Sequence, residues 1–388
     1  MSSIGEARLR MVAAAIACSA IVMPAAAHAA PAQPAGPIAR AASAVGPVPH
    51  GFAADSVTFV STREAYVLGT APCAVAPCTS IVRTLDRGAS WRGVPAPPVS
   101  LGLPYAGRGQ RVWGIRFASP SQGFVFGTGL WETTNASANW TRTAGPRGSV
   151  LSLATIDGQV LALTAACTPA NGCASDASLV RRPLSGGRWS LVARIRLFDA
   201  LGPTDLIATQ ARVAAVLDGS HVLITRNGGN SIVRRATPCF RPGVATAVSV
   251  AVTSARSLAL LCIGQGFTGH TTKVVYVSGD DGTRWHKAGV PDSAGDGGTI
   301  AGATPAHLTI ATWSAASWLY YSANAGRAWR TVRSEGDGGL GWADLGFTTT
   351  TDGVVVRGPV ITGDNRDNRP GQLLLTSNGG ARWVLARY

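Results

Sequence analysis

Thr84-Leu85-Asp86-Arg87-Gly88-Ala89-Ser90-Trp91 is the first clear copy of a pattern that returns through the chain. The pattern is Ser or Thr, Asp or Asn two residues later, Gly after two more, and Trp three beyond. An Asp or Asn side chain accepts hydrogen bonds from backbone N–H groups just downstream, Gly tolerates positive φ, and the Trp can open the next strand. The pattern therefore predicts a β-hairpin turn with an aromatic anchor.

Seven copies of this eight-residue motif, which we call the box, can be located. The third copy is degraded, with Leu184 at the acidic position, and the fourth has Ile232 in place of Trp. The positions that keep the pattern are Asp86, Gly88, Trp91, Asn135, Trp140, Trp189, Asn227, Asp280, Gly282, Trp285, Asn324, Gly326, Trp329, Asn378, Gly380 and Trp383.

The boxes recur at a mean spacing of about 49 residues, which suits one four-stranded propeller blade. Short β-type runs such as 57–60, 65–68 and 80–83 supply the other strands of the first unit. The sequence thus predicts an all-β protein, a single seven-bladed β-propeller over residues 51–388. Six blades plus an irregular insertion is the alternative, because the third box is weak.

Composition agrees with a globular β-protein and argues against binding of nucleic acid. The chain has 47 Gly and 23 Pro in 388 residues, so it turns too often for a bundle of long helices. The net charge is +14, yet the densest basic clusters are pairs such as Arg181-Arg182 and Arg234-Arg235. No basic run of the kind that binds nucleic acid occurs.

The N-terminus has the pattern of a secretory signal peptide. Arg8 and Arg10 precede an apolar run at 11–23, and Ala27-His28-Ala29 supplies a small-residue cleavage site. We therefore predict a signal peptide at 1–29, a Pro/Ala-rich spacer at 30–50, and a secreted chain without a transmembrane segment. A lipoprotein acylated at Cys18 is the alternative.

Six cysteines remain after the signal peptide, an even number that favours disulfides in an exported chain. Six cysteines allow 15 pairings, but closeness in sequence favours Cys73 with Cys78, Cys167 with Cys173, and Cys239 with Cys262. We expect no cofactor and no metal, because no His lies near a cysteine pair. The loop at 364–368 carries oxygen ligands of the kind that calcium binds, but it lacks the rest of the spacing of a calcium loop.

The box resembles the bacterial neuraminidase repeat, or Asp-box, of sialidases, sortilin-type receptors, xyloglucan-cleaving glycosidases and the propeller factor that assists photosystem II assembly. The resemblance covers about residues 55–388. In that family the box lies on the outer turn of the blade, away from the central pocket. The resemblance therefore implies structural roles for Asp86, Asp280 and their Asn counterparts, and it is unspecific for function.

Catalytic residues of a sialidase cannot be located by motif. Such an enzyme needs an arginine cluster, a Tyr nucleophile activated by Glu, and an Asp acid/base. The family's Phe-Arg-Ile-Pro signature is absent, and the mature chain has only Glu64, Glu132 and Glu335. We therefore expect a non-enzymatic binding propeller, with a sialidase-like glycoside hydrolase as the alternative.

Four residues are candidates for a binding site in the central funnel. Trp113 and Trp342 lie near innermost-strand candidates, and Arg111 and Arg116 flank the first of them. Arg pairs with carboxylate or phosphate, and Trp stacks on apolar ring faces. Removing Arg8, Arg10 and Glu6 with the signal leaves 32 basic and 19 acidic residues, or +13. We therefore expect a monomer whose partner is an anionic polymer, a glycan or an acidic protein surface.

Overall fold

The computed structural model describes residues 45–388 except 74–77, 103–108, 169–171, 198–206, 211, 240–244, 268, 337–340 and 359–370. The predicted signal peptide, most of the predicted spacer and the oxygen-rich loop at 364–368 lie outside the described residues. The described chain contains 29 strands in seven sheets and no α-helix.

Each sheet is built from strands that follow one another in the chain. Blade 1 contains β1 (Ala53–Phe59), β2 (Ala65–Ala71), β3 (Cys78–Thr84) and β4 (Arg92–Val94). Blade 2 contains β5 (Ser100–Leu101), β6 (Arg111–Phe117), β7 (Gly123–Gly127), β8 (Leu130–Thr133) and β9 (Thr141–Arg142), with the short β5 parallel to β6. Blade 3 contains β10 (Ser149–Ile156), β11 (Gln159–Thr168), β12 (Gly172–Pro183) and β13 (Ser190–Arg196).

The remaining four blades have four strands each. Blade 4 contains β14 (Ile207–Gln210), β15 (Val213–Asp218), β16 (His221–Thr225) and β17 (Val233–Ala236). Blade 5 contains β18 (Ala245–Val252), β19 (Leu258–Phe267), β20 (His270–Ser278) and β21 (His286–Gly289). Blade 6 contains β22 (Gly297–Gly302), β23 (Leu308–Trp313), β24 (Ser317–Ser322) and β25 (Arg330–Glu335). Blade 7 contains β26 (Trp342–Phe347), β27 (Gly353–Arg357), β28 (Gln372–Thr376) and β29 (Val384–Leu385).

The seven sheets close into a ring, which confirms the predicted seven-bladed propeller. Each blade contacts the next through its innermost strand, and β1 of blade 1 contacts β26 to β28 of blade 7. Apolar side chains fill the spaces between blades: Ala259 and Leu261 of blade 5, for example, pack in one cluster with Ile310 and Tyr320 of blade 6. Strands such as β7 are buried along their whole length, because a blade is covered on both faces.

Every box forms the turn between the last two strands of its blade. In blade 1, the Gly88 N–H donates to Thr84 Oγ1 at 2.9 Å, and the Ser90 N–H donates to Asp86 Oδ1 at 2.8 Å. Arg87 and Gly88 have φ of 68° and 84°, so the turn needs two successive residues in the left-handed region, where Gly is least strained. The same pair of bonds recurs in blade 6, from Gly326 N–H and Ala328 N–H.

The eighth residue of the box reaches back to the preceding blade. The indole N–H of Trp140 in blade 2 donates to the Pro95 carbonyl after blade 1, at 2.9 Å. Trp285 in blade 5 bonds in the same way to the Ala236 carbonyl of blade 4, at 3.1 Å. Ile232, which replaces Trp in blade 4, packs in the apolar cluster of blade 3. The box therefore shapes its own hairpin and also joins two blades.

The ring closes where blade 7 meets blade 1. The ring of Tyr388 lies 5.1 Å from that of Phe52 and 5.5 Å from that of Trp91, so the box Trp of blade 1 also packs against the blade before it in the ring. The Ala54 N–H donates to the Gly371 carbonyl at 3.0 Å. A Cβ on Gly371 would lie 1.8 Å from the Ala54 oxygen, so this approach of blades 7 and 1 requires glycine.

Residues 45–50, which the sequence assigns to the spacer, lie against blade 1. Gly46 and Gly93 exchange backbone hydrogen bonds of 3.0 and 2.9 Å, which extends the sheet beyond β4. The side chain of Val48 packs against the cluster between blades 7 and 1. An outermost strand has open backbone groups, and this segment covers part of them in blade 1.

The three predicted disulfides are confirmed. Cys73–Cys78 and Cys167–Cys173 join the ends of the second and third strands in blades 1 and 3. Cys239–Cys262 joins the segment after β17 to β19 of the next blade. Disulfides of this kind persist in oxidising compartments.

We predict that Asn324 can be replaced by Asp but not by Ala. Asn324→Asp keeps the acceptor for the Ala328 N–H, as Asp86 does in blade 1, so the free energy of unfolding should change little. Asn324→Ala leaves that N–H and Ser322 Oγ without this partner, and it should cost about 1 kcal/mol, as loss of a cap does. Urea unfolding of the two variants beside the wild type checks this, and equal losses for both would contradict the assigned role.

Candidate functional site

The central channel is lined by the first antiparallel strand of each blade. A cavity of about 250 Å³ lies in it, with residues from six of these seven strands, all except β10. The lining comes mainly from the second halves of the strands, which run into the turns between first and second strands. Those turns contact the boxes, as in the bond from Arg87 N–H to the Arg63 carbonyl. The cavity thus lies toward the face that carries the boxes, but no box residue lines it.

Arg116 and Asp344 form the charged part of the cavity wall. Arg116 Nη2 donates to Asp344 Oδ1 at 2.5 Å, and Arg116 Nη1 donates to the carbonyls of Ile115 and Val57 at 2.7 and 3.2 Å. The Arg116 side chain is 20% exposed, and that of Asp344 is 4% exposed. Because the guanidinium is held by a carboxylate and two carbonyls, its charge is neutralised within the protein.

The same carboxylate joins blade 7 to blade 1. Asp344 Oδ2 accepts hydrogen bonds from Ser56 Oγ at 2.6 Å and from the Val57 N–H at 2.7 Å. The Ile115 N–H of blade 2 in turn donates to Ser56 Oγ at 3.2 Å. Asp344 has a φ of 51°, in a left-handed conformation that Asp tolerates better than most residues. One polar network therefore connects blades 7, 1 and 2.

Asp55 is the second carboxyl of this region. It is the extra residue of a bulge in β1, where the register shifts between Ala54 and Ser56. Asp55 is half-buried. Burial, reinforced by the negative charge of Asp344, raises the pKa of Asp55 to about 8. Asp55 is therefore mostly protonated at neutral pH, and it leaves Asp344 as the ionised partner of Arg116.

The structure does not bring the four candidate binding residues together. Arg116 lines the cavity, whereas Arg111 lies half-buried at the start of β6. Trp113 and Trp342 lie on innermost strands, but their side chains are only 2% exposed and pack between blades. The indole N–H of Trp342 donates to the Thr312 carbonyl of blade 6 at 3.0 Å. Sequence reasoning missed Asp55 and Asp344, although an acidic residue within an otherwise apolar strand was the available signal.

A Tyr–Glu pair occurs in blade 1, but not in the cavity. Tyr66 Oη donates to Glu64 Oε1 at 3.0 Å, and Arg83 donates to the same oxygen at 2.6 Å. Tyr66 is fully buried and stacks on Phe117 with ring centroids 3.7 Å apart. Among the described residues, Arg83 is the arginine that contacts this pair, whereas a sialidase needs a cluster of arginines. The pair joins the second and third strands to the turn before them.

Lys273 on β20 is a further buried basic residue, and backbone carbonyls of the protein accept hydrogen bonds from its ammonium group. Its Nζ donates to the carbonyls of Gly295 at 2.7 Å, Ser293 at 2.9 Å and Thr271 at 3.1 Å. Burial lowers the pKa of Lys273 to about 8. Its contacts fix the connection between blades 5 and 6. In the described part of the chain, no group of three or more His, Cys, Asp and Glu side chains is placed to hold a metal ion.

We predict strong coupling between Arg116 and Asp344. Asp344→Asn alone leaves a mostly buried guanidinium without its anionic partner and should cost about 3 kcal/mol of unfolding free energy. Arg116→Met with Asp344→Asn should cost less than the sum of the two single variants, by at least about 1 kcal/mol. Urea unfolding of all four proteins checks the cycle. Additive costs would show that the pair is not a stabilising unit.

We predict that Asp55→Asn changes how stability depends on pH. The raised pKa of Asp55 means that the folded chain keeps a proton that the unfolded chain releases from about pH 4 upward. The unfolding free energy of the wild type should therefore fall relative to that of Asp55→Asn as the pH rises from about 4 to about 8. Urea unfolding at several pH values across this range measures the difference, and a constant difference would contradict the shift.

Comparisons with known proteins agree on the fold alone. No model of a protein family matches the chain, and no curated protein matches it. Two solved structures share the architecture. One is YCF48 bound to a D1 peptide, 16% identical, with 86% of this chain and 96% of that chain covered and a TM-score of 0.53. The other is YCF48 from Cyanidioschyzon merolae, 14% identical, with 86% and 98% covered and a TM-score of 0.51. This chain is a β-propeller similar in fold to YCF48.

Proposed function

We propose that this protein is an exported, non-enzymatic β-propeller that binds an anionic partner outside the cytoplasm. The observation that carries the proposal is an excess of exposed, unpaired basic side chains. Thirteen of these form no ion pair with a described residue: Arg63, Arg87, Arg92, Arg142, Arg147, Arg188, Arg194, Arg196, Lys287, Arg327, Arg330, Arg382 and Arg387. Three exposed acidic side chains also form no ion pair with a described residue: Asp176, Asp292 and Asp296.

Most other acidic side chains are used within the protein. Glu132 pairs with Arg182 between blades 2 and 3, at 2.7 Å, and Glu335 pairs with Arg357 between blades 6 and 7, at 2.9 Å. Asp344 neutralises Arg116 in the channel. These acidic side chains pair with arginines between blades and in the channel. The basic side chains that form no ion pair therefore leave a net positive charge on the surface, where it can attract an anionic partner.

Export is supported by the signal-like N-terminus and by three disulfides. No helix among the described residues is long and apolar enough to cross a membrane. A propeller of similar fold, YCF48, is known bound to a D1 peptide, which supports binding as a use of this architecture. The similarity is too low to transfer the partner.

We expect the mature chain to bind a labelled polyanion, poly-L-glutamate, at low salt and to release it as salt is added, because screening weakens contacts between exposed charges. Fluorescence anisotropy across a salt series measures this, with uncharged dextran as the control. Absence of binding at low salt would contradict the proposal.

The hydrolase alternative is tested separately with a fluorogenic sialoside. We expect no release of the fluorophore, because Tyr66 is buried and contacts a single arginine. Turnover that Tyr66→Phe abolishes would replace the binding function with a glycoside hydrolase.

A further inference from the structure

The outermost strands of the blades are almost uniformly basic. Strands β4, β9, β13, β17, β21 and β25 carry Arg92, Arg142, Arg194, Arg196, Arg234, Arg235, Lys287, Arg330 and Arg333, and β29 carries no charged residue. The one acidic residue on these strands is Glu335, which pairs with Arg333 and Arg357. Six of the seven blades thus present positive charge at the circumference of the ring.

Several of these side chains have no partner of their own. Arg92, Arg142, Arg196 and Lys287 are exposed, and their side chains form no hydrogen bond or ion pair with a described residue. Arg194 has only a 3.4 Å contact from its Nη1 to Ser178 Oγ. We call these five residues the basic rim. Four of them lie on the consecutive blades 1, 2 and 3, which makes one continuous arc.

Protection of the sheet edges does not explain this pattern. Charged residues on an edge strand prevent pairing with the edge of another sheet, but either sign of charge achieves that. Acidic residues would also have reduced the net charge of the ring. They occur instead at the boxes and between blades, as Asp86 and Glu132 do. The single sign at the circumference therefore points to an anionic ligand.

The arrangement favours a long ligand over a compact one. The free cations lie on different blades around the circumference, so a small anion could meet only one or two of them. A linear polyanion can follow the arc and contact successive blades, and linked contacts raise the overall affinity far above that of each site. Guanidinium groups match both phosphate and carboxylate oxygens, so the shared chemistry is a chain of regularly spaced anionic groups.

We infer that the four basic-rim arginines of blades 1 to 3 bind a linear polyanion that runs along the outer edges of these blades. The inference rests on the proposed function and specifies its site and partner. It places the ligand on the circumference and not at the channel, where Asp344 already holds Arg116.

The test compares two triple variants that lose the same charge. The rim variant is R92Q/R142Q/R196Q. The matched variant is R63Q/R87Q/R327Q, whose exposed arginines also form no ion pair with a described residue and lie in the turn between β1 and β2 and in the boxes of blades 1 and 6, outside the outermost strands. Long-chain polyphosphate and poly-L-glutamate are the probes, and tripolyphosphate is the short control. Anisotropy is measured in a salt series with the mature chain.

We expect the rim variant to lose about tenfold or more in affinity for the long polymers and to show a weaker salt dependence. The matched variant should change by less than about twofold, and wild-type protein should bind tripolyphosphate at least about tenfold more weakly than the long chain. The tighter of the two long polymers distinguishes a phosphate source from a carboxylate source. Equal losses in both variants, or equal binding of the short and long phosphates, would overturn the inference. Failure of both long polymers to bind the wild type would instead overturn the proposed function.

Discussion

This structure depends on one hydrogen bond within the box. A backbone N–H donates to the side chain of the Asp or Asn that lies four residues earlier in the chain. This bond holds two residues of the box in the left-handed region and so fixes the turn between the last two strands of the blade. A fixed turn places the Trp at its end, and the Trp packs on the blade before it. One local bond therefore determines hairpin shape, contact between blades and, through repetition, the ring. Its strength does not depend on a full negative charge, because Asn fills the position in four of the boxes.

The fold could be predicted from the sequence because its determinants are local. Each box is a contiguous stretch, and its spacing counts the blades even where the third copy has lost its Asp and the fourth its Trp. The disulfides could be predicted for the same reason, since each joins cysteines near one another in the chain. The channel could not be predicted in this way. Trp113 and Asp55 are extra residues at bulges, and a bulge changes which face a side chain meets. Nearness to an innermost-strand candidate predicted Trp113 at the funnel, while the fold buries it between blades. The pairing of Arg116 with Asp344 joins residues 228 positions apart, which no local pattern indicates.

The positive charge of the outermost strands has a signal in the sequence, which can be recognised once the ring is known. An Arg or Lys follows the last box residue within two positions in five of the seven copies, as Arg92 follows Trp91 and Lys287 follows Trp285. In one dimension these residues are scattered, and scattered charge argues against a binding run. The propeller brings them to one circumference, so basic residues that lie far apart along the chain are found on the outermost strands of the same ring. The acidic residues differ from the basic ones in position. Glu132, Glu335 and Asp344 lie at contacts between blades.

The direction in which the box Trp points has a consequence for how the ring can be made. Each blade is one uninterrupted stretch of chain, and its box reaches back to the blade that precedes it. A chain that emerges with its N-terminus first can therefore dock every new blade on one already complete, without waiting for residues still to be synthesised. The exception is Trp91 of blade 1, whose aromatic partner Tyr388 follows the last strand of blade 7. The contact between Trp91 and Tyr388 can therefore form only after the chain of blade 7 has been made.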